Sequence, residues 1–229
     1  MKILTVGGAT IDTVAVVESD RIERMSMRNA ETAFLLLEEG RKIEAADIST
    51  HTGGGAVNAA VSMARLGHDV AALVKLGQDA RADTILSRLS AEGVSTRFAV
   101  RDPRAPTGAA VLLAAHDRNA AVFTFRGANT LLEEKDLKKD AFAVDLVYIT
   151  SLSNQSADRF PSLIAKAKAE QALVATNPGI RQLSARGGPF QDCLANIDIL
   201  SINRAEADVL VPQLVARFGE GGPVLKVKK

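Results

Sequence analysis

The sequence predicts an α/β fold: a doubly wound, mostly parallel sheet with a minor β-sheet inserted in it. Three observations predict it. Short apolar runs such as Ile3–Val6 and Val70–Leu76 have the length and composition of strands buried on both faces. From Asp145 onward such runs alternate with stretches of helical period, the pattern of βαβ units. A cluster of small strands sits ahead of that alternation, between the first strand and a triple glycine.

At 229 residues the chain can bury one substantial core with a smaller excursion. Lys and Arg total 28 against 27 Asp and Glu, a net charge of +1 that gives no footprint for nucleic acid, though a small anion can still be bound locally. Cys193 is the single cysteine, which excludes an internal disulfide and a cysteine-rich zinc site. Beside Leu194 on a helical stretch it reads as a core thiol. His51, His68 and His116 lack the short helical spacing of metal ligands. No apolar run reaches the roughly 18 residues that span a bilayer, and the start of the chain lacks signal-peptide regions. A cytoplasmic location and no membrane partner are therefore expected, and the sequon Asn154-Gln155-Ser156 is a chance match.

In order, Lys2–Val6 is a buried strand ended by Gly7-Gly8, and Asp12 follows within ATIDTVAVVES, where apolar and polar residues roughly alternate. Ser19–Ala30 is charged and poorly periodic, a surface segment. Ala33–Leu37, Arg41–Ala45 and Ile48–Thr50 read as short strands of the lid. The glycines Gly53, Gly54 and Gly55 lead into a helix rich in alanine that stops at Gly67. Val70–Leu76 is the next strand, Asp79–Glu92 a helix stopped by Gly93, and Ser95–Val100 a strand. Thr107-Gly108 opens a strand that turns at His116–Asn119 and returns as AAVFTF, a hairpin.

Beyond the Arg126–Asn129 loop, Leu131–Leu137 is a short helical turn. Strands are predicted at Asp145–Ile149, Ala172–Ala175, Ile197–Ile202 and Pro223–Val227. Helices are predicted at Asp158–Glu170, Phe190–Ala195 and Asn203–Leu210, the last stopped by Pro212. The expected division is a core of residues 1–12 and 52–229 and a lid of residues 13–51, with a contribution from 107–125.

An acid just past the carboxyl end of a first strand sits where open α/β sheets bind ligands; a turn or capping role for Asp12 is the alternative. The triple glycine lets backbone N–H groups approach a ligand at a helix N-terminus. Neither G-x-G-x-x-G nor G-x-x-x-x-G-K-[ST] occurs.

The stretch holding Gly53, Gly54, Ala56, Asn58, Ala60, Gly67 and Gly77 resembles, at every slot, the first signature of the ribokinase-like, or PfkB, carbohydrate kinases. A chance match is on the order of 10⁻⁴ per chain, which favours the ligand reading of the loop. Asp12 matches that family's sugar-gripping aspartate, and Asn203-Arg204-Ala205-Glu206 is similar to its N-x-x-E motif. The resemblance implies ATP-dependent phosphorylation of a sugar hydroxyl, with Asp12, Gly53, Gly54, Gly55 and Asn58 binding the acceptor. Asn203 and Glu206 would help place Mg²⁺ and phosphate through water. It also implies a lid that doubles as a homodimer surface.

Two departures stand out. Gly77-Gln78-Asp79-Ala80-Arg81-Ala82 lacks the second glycine of the family's Gly-x-Asp-x-x-Gly, and no glutamate lies near Ser151 to contact ribose. The family's G-A-G-D element, which supplies the catalytic base and anion hole, is expected beyond Lys229, so residues 1–229 are expected not to turn over. A nucleoside kinase of the adenosine type and a non-catalytic sugar-binding protein remain the alternatives.

Overall fold

The computed structural model describes residues 1–18, 23–26, 33–36, 39–40, 42–115 and 120–219. Its strands are β1 (Lys2–Gly7), β2 (Thr10–Val17), β3 (Glu23–Ser26), β4 (Ala33–Leu36), β5 (Asp47–Gly53), β6 (Asp69–Leu76), β7 (Val100–Arg101), β8 (Gly108–Ala115), β9 (Ala120–Phe125), β10 (Leu146–Ile149), β11 (Leu173–Thr176) and β12 (Ile199–Leu200). Its helices are α1 (Gly55–Arg65), α2 (Ala80–Ala91), α3 (Phe160–Ala169), α4 (Ile180–Ala185), α5 (Gly187–Asp192) and α6 (Arg204–Phe218), with several 3₁₀ turns between them.

Six strands form a parallel sheet in the order β12-β11-β10-β1-β6-β7. Successive residues of β1 bury opposite faces, as an apolar run without alternation should. Leu4 and Val6 join one core with Val147, Ile149, Val174 and the α3 residues Phe160, Leu163 and Ile164. Ile3 joins the other with Val70, Val74, Leu76 and the α1 and α2 residues Val57, Ala60, Ile85 and Leu89. The sheet is thus covered on both faces. β1 lies between β10 and β6, so strand order reverses there and a crevice opens at the carboxyl ends of β1 and β10.

A second sheet, in the order β5-β2-β8-β9, is mixed: β2 runs parallel to β8 and antiparallel to β5. It begins at Thr10 and ends at Gly53 and Phe125, so Asp12 and Thr52 belong to its strands and the β8–β9 hairpin makes up half of it. The strands β3 and β4 form a separate antiparallel pair.

Several sequence expectations change. Glu23–Ser26, inside a segment read as irregular, is a strand, because its register with Ala33–Leu36 supplies the partner that its weak periodicity does not reveal. Residues 42–46 are not a strand. Ser95 makes only an isolated bridge to Ala71 before the two-residue β7. Ile180–Ala185 is helical where no helix was predicted. α6 runs through Pro212 instead of stopping there. Pro212 and Asp208 lie on the exposed side, where the carbonyl left without an N–H donor can turn to water. The expected turn at His116–Asn119 and the expected strand at Pro223–Val227 lie outside the described residues.

Candidate functional site

The crevice is built from residues whose small size is enforced by contact. Thr150, one residue past β10, donates through Oγ1 to Val6 O (3.2 Å) and packs against both Gly7 and Gly55. A Cβ on Gly7 would lie 2.0 Å from that oxygen, and one on Gly55 2.8 Å from it. Gly54, the N-cap of α1, has φ +92°, and a Cβ there would stand 2.4 Å from Gly8 O. These contacts seat the α1 N-terminus directly against the ends of β1 and β10. Gly55 is exposed there, and its N–H has no partner among the described residues.

Asp12 lies on β2 in one cross-strand row with His51, Ala110 and Thr124. Its carboxylate rests on Gly53, where a Cβ would come within 2.0 Å of Oδ2. Oδ1 is buried and has no hydrogen-bond partner among the described residues. Such an acceptor is costly unless something donates to it, and no described protein group does. The neighbouring Ile11, on the opposite face of the lid sheet, packs against the α1–α2 core. The Asp12 face therefore turns away from those helices.

Asn58 lies one turn into α1 on the same exposed stripe as Gly55, and its amide has no side-chain hydrogen bond among the described residues. It lines an open cleft of ≈ 380 Å³ with Thr52, Ser62, Arg65 and Arg88. Thr52 pairs with Ile11, so this cleft lies on the face of the mixed sheet opposite Asp12, and the structure does not bring Asp12 and Asn58 into contact.

Asn203 and Glu206 cap α6. Asn203 Oδ1 accepts from Glu206 N and Glu206 Oε2 accepts from Asn203 N, each at 2.9 Å, a reciprocal capping box. Among the described residues there is no group of three or more His, Cys, Asp or Glu suited to a metal. Glu206 Oε1 remains as one carboxylate oxygen, a donor set that suits Mg²⁺ only with most of its water retained.

Sequence reasoning did not anticipate the anchors beneath the lid. Asn129 Oδ1 accepts from Ala9 N and its Nδ2 donates to Ala9 O, both at 2.9 Å, clamping the chain between β1 and β2. Asp79 caps α2 through Ala82 N and accepts from Thr107 N (2.8 Å) and Thr107 Oγ1 (2.6 Å). Burial opposes ionisation of Asp79, but these donors prevail and hold its pKa below the ordinary value. Thr107 Oγ1 also accepts from Gly77 N. Lys75, 3% exposed, reaches Asp136 Oδ2 at 2.7 Å and Asp102 Oδ2 at 3.2 Å. The Arg104 guanidinium bonded to Asp102 holds that carboxyl well below the usual range despite burial, with Lys75 adding to the effect.

The structure brings together a three-layer α/β core, a second mixed sheet and an orphan carboxylate over a glycine loop at the end of a parallel sheet. The profile of the pfkB family carbohydrate kinases matches residues 2–216, and the chain belongs to that family. Among curated proteins, a ribokinase of Staphylococcus aureus is 24% identical over 213 residues, covering 91% of this chain and 62% of its own length. A deoxyribokinase of Salmonella typhi is 27% identical over 128 residues, covering 56% of this chain and 40% of its own. The chain thus spans about two fifths to three fifths of these relatives. In structure, Arabidopsis thaliana ribokinase complexed with ribose and ATP superposes with TM-score 0.69 at 22% identity, covering 92% of this chain and 62% of that one. A carbohydrate kinase from Agrobacterium tumefaciens gives 0.71 at 24%, covering 95% and 67%. These likenesses establish the shared fold, an α/β core with a second, small mixed sheet.

Proposed function

We propose that this chain forms the acceptor half of a kinase that moves the γ-phosphoryl group of ATP to a hydroxyl of a sugar or related polyol. The observation that carries the reading is the buried, unpartnered Asp12 Oδ1 above Gly53. A carboxylate accepts from a hydroxyl, and the Asn58 amide can both donate and accept, so the two suit adjacent hydroxyls of a polyol. The exposed N–H of Gly55, at the start of α1, adds a donor. The lid sheet carries Asp12 itself, so its closure would deliver the carboxylate and exclude water together.

Mg²⁺ would neutralise charge on the transferred phosphoryl group. Glu206 Oε1 and Asn203 are the residues here that would position it through water. Residues 1–229 contain no Gly-Ala-Gly-Asp sequence, and by themselves they are expected to bind acceptor without turnover. The lid is also proposed as a homodimer surface, supported by the exposed apolar side chains of Val111, Phe123 and Phe125 on its face opposite Asp12.

The test is ATP·Mg²⁺-dependent phosphorylation by the complete protein across ribose, fructose, 2-keto-3-deoxygluconate, adenosine and inosine. A sugar product that disappears in Asp12→Asn is expected. A preference for the nucleosides selects the adenosine-type reading. Sugar binding without phosphorylation of any member selects the non-catalytic reading.

A further inference from the structure

His51 stands directly across from Asp12. The register of β2 and β5 pairs the two residues, so their side chains leave the same face of the lid sheet from adjacent strands. Residues paired in this way hold their Cβ atoms about 4.5–5.5 Å apart. No hydrogen bond joins Asp12 to His51. The Asp12 carboxylate leans toward Gly53, whereas the His51 ring leans the other way along β5, where Nε2 shares a 3.1 Å hydrogen bond with Ser49 Oγ. The two side chains therefore part, and Asp12 Oδ1 is left without a donor among the described residues.

The surroundings single His51 out. The other cross-strand neighbour of Asp12 is Ala110, which has no polar side-chain group. Thr10, two residues earlier on β2, is turned onto Gly53. The next rung of this face, away from the glycines, carries Val14, Leu112 and Val122 beside Ser49. Across the strands, then, His51 is the one direct neighbour of Asp12 whose side chain can hydrogen-bond. It is exposed, and its Nδ1 has no protein partner among the described residues. Water can replace its bond to the exposed Ser49 hydroxyl, so turning the ring toward Asp12 costs little.

The chemistry of the pair is complementary. A carboxylate only accepts, so whatever fills the space beside Oδ1 must donate. A neutral imidazole carries one N–H and one bare nitrogen. A hydroxyl between them donates to Oδ1 and accepts from the imidazole N–H, so both of its roles are used. We infer that His51 is a second acceptor-binding residue, gripping from the neighbouring strand the same substrate hydroxyl that Asp12 takes. The pair selects a free hydroxyl at that position against an ether, which cannot donate, and against a deoxy carbon, which can do neither. The inference rests on the acceptor-site reading given above.

The test is calorimetric binding of ribose, fructose, 2-keto-3-deoxygluconate, adenosine and inosine to the 229-residue chain and its variants. A probe whose affinity falls in Asp12→Asn should also lose about three- to tenfold in His51→Ala, the worth of one hydrogen bond. Because both residues hold one hydroxyl, the double variant should bind within about twofold of the weaker single one. His51→Gln, whose amide also donates, should recover part of the loss, and His51→Phe, which keeps only a ring, should recover none. Nuclear magnetic resonance reads the contact directly. His51 is one of three histidines, so the signals lost in His51→Gln identify its ring, and a bound probe should shift them. Asp12-dependent binding that His51→Ala leaves within about twofold overturns the assignment of His51 alone. So do losses that add in the double variant, full recovery in His51→Phe, or ring signals that a bound probe does not move. If no probe binds in a way that depends on Asp12, the acceptor site falls and this inference with it.

Discussion

The carboxylate of Asp12 lies on Gly53 so closely that a methyl group there would sit 2.0 Å from Oδ2 and 3.0 Å from Thr10 Oγ1. The clash is with the mobile end of a side chain, and Gly53 does not have a positive φ. Gly53→Ala should therefore displace Asp12 at small cost in stability and large cost in binding. Acceptor affinity measured by calorimetry should fall about as far as in Asp12→Ala. The double variant should be no worse than either single one, because both remove the same contact. Additive losses would show that Gly53 serves the site by another route.

Gly54 makes the opposite case. Its φ of +92° and the 2.4 Å approach to Gly8 O involve backbone on both sides, which cannot swing away. Gly54→Ala should lower stability by about 1–2 kcal/mol or more in urea unfolding, the cost of a left-handed non-glycine residue plus the clash. A variant as stable as the parent would mean that the α1 N-terminus is not held against Gly8.

Lys75 stands between Asp102 and Asp136, all three nearly inaccessible to water. Removing the cation leaves two buried carboxylates facing each other. Lys75→Met should cost about 3–5 kcal/mol by urea unfolding, while the triple change to Met, Asn and Asn at 75, 102 and 136 should recover much of the loss. No recovery would locate the defect in packing around β6 instead of in charge.

Much of this architecture is legible in the residues themselves, and the reasons for the exceptions are physical. Ile3–Val6 and Val70–Leu76 announce buried strands because both their faces are covered. Gly53 and Gly54 of the signature announce close approach, since a side chain would meet the Asp12 carboxylate at one and the Gly8 backbone at the other. Glu23–Ser26 is not legible because its strand state depends on a partner ten residues away. Pro212 misleads because local rules see the lost N–H but not the exposed helix face that tolerates it. The family resemblance points to Asp12, and only the fold reveals that its Oδ1 lacks a donor among the described residues.

Acid should destabilise the anchors beneath the lid. Asp79, Asp102 and Glu133 have folded-state pKa values below their ordinary ones, that of Glu133 lowered to about 2 by Arg104 and Lys135. A depressed folded pKa contributes stability that is present above the unfolded value, near 4, and lost as pH falls through the folded one. The melting temperature should therefore hold from pH 7 to about 5 and drop steeply below about 4. Thr107→Val removes the hydroxyl that donates to Asp79 and accepts from Gly77 N. Its deficit against the parent should be widest near neutrality and narrow in acid. A deficit independent of pH would mean that the Thr107 contribution is packing.

The face of the lid opposite Asp12, whose Ile11 packs against the α1–α2 core, gives the last prediction. Register places Thr50, Thr13, Val111 and Phe123 in one row, and Phe125 in the row of Thr52, Ile11 and Ala109. Phe123 and Phe125 are 60% and 52% exposed there, and Ile48 lies on the same face. Monomeric proteins seldom leave such side chains contiguous and uncovered. If two lids cover one another, light scattering at micromolar concentration should give twice the chain mass, and Phe123→Lys should halve it. Val122, on the Asp12 face, is the control: Val122→Lys should leave the dimer intact and weaken acceptor binding instead. A parent chain of single mass would remove the lid as a dimer surface, whatever the outcome at Asp12.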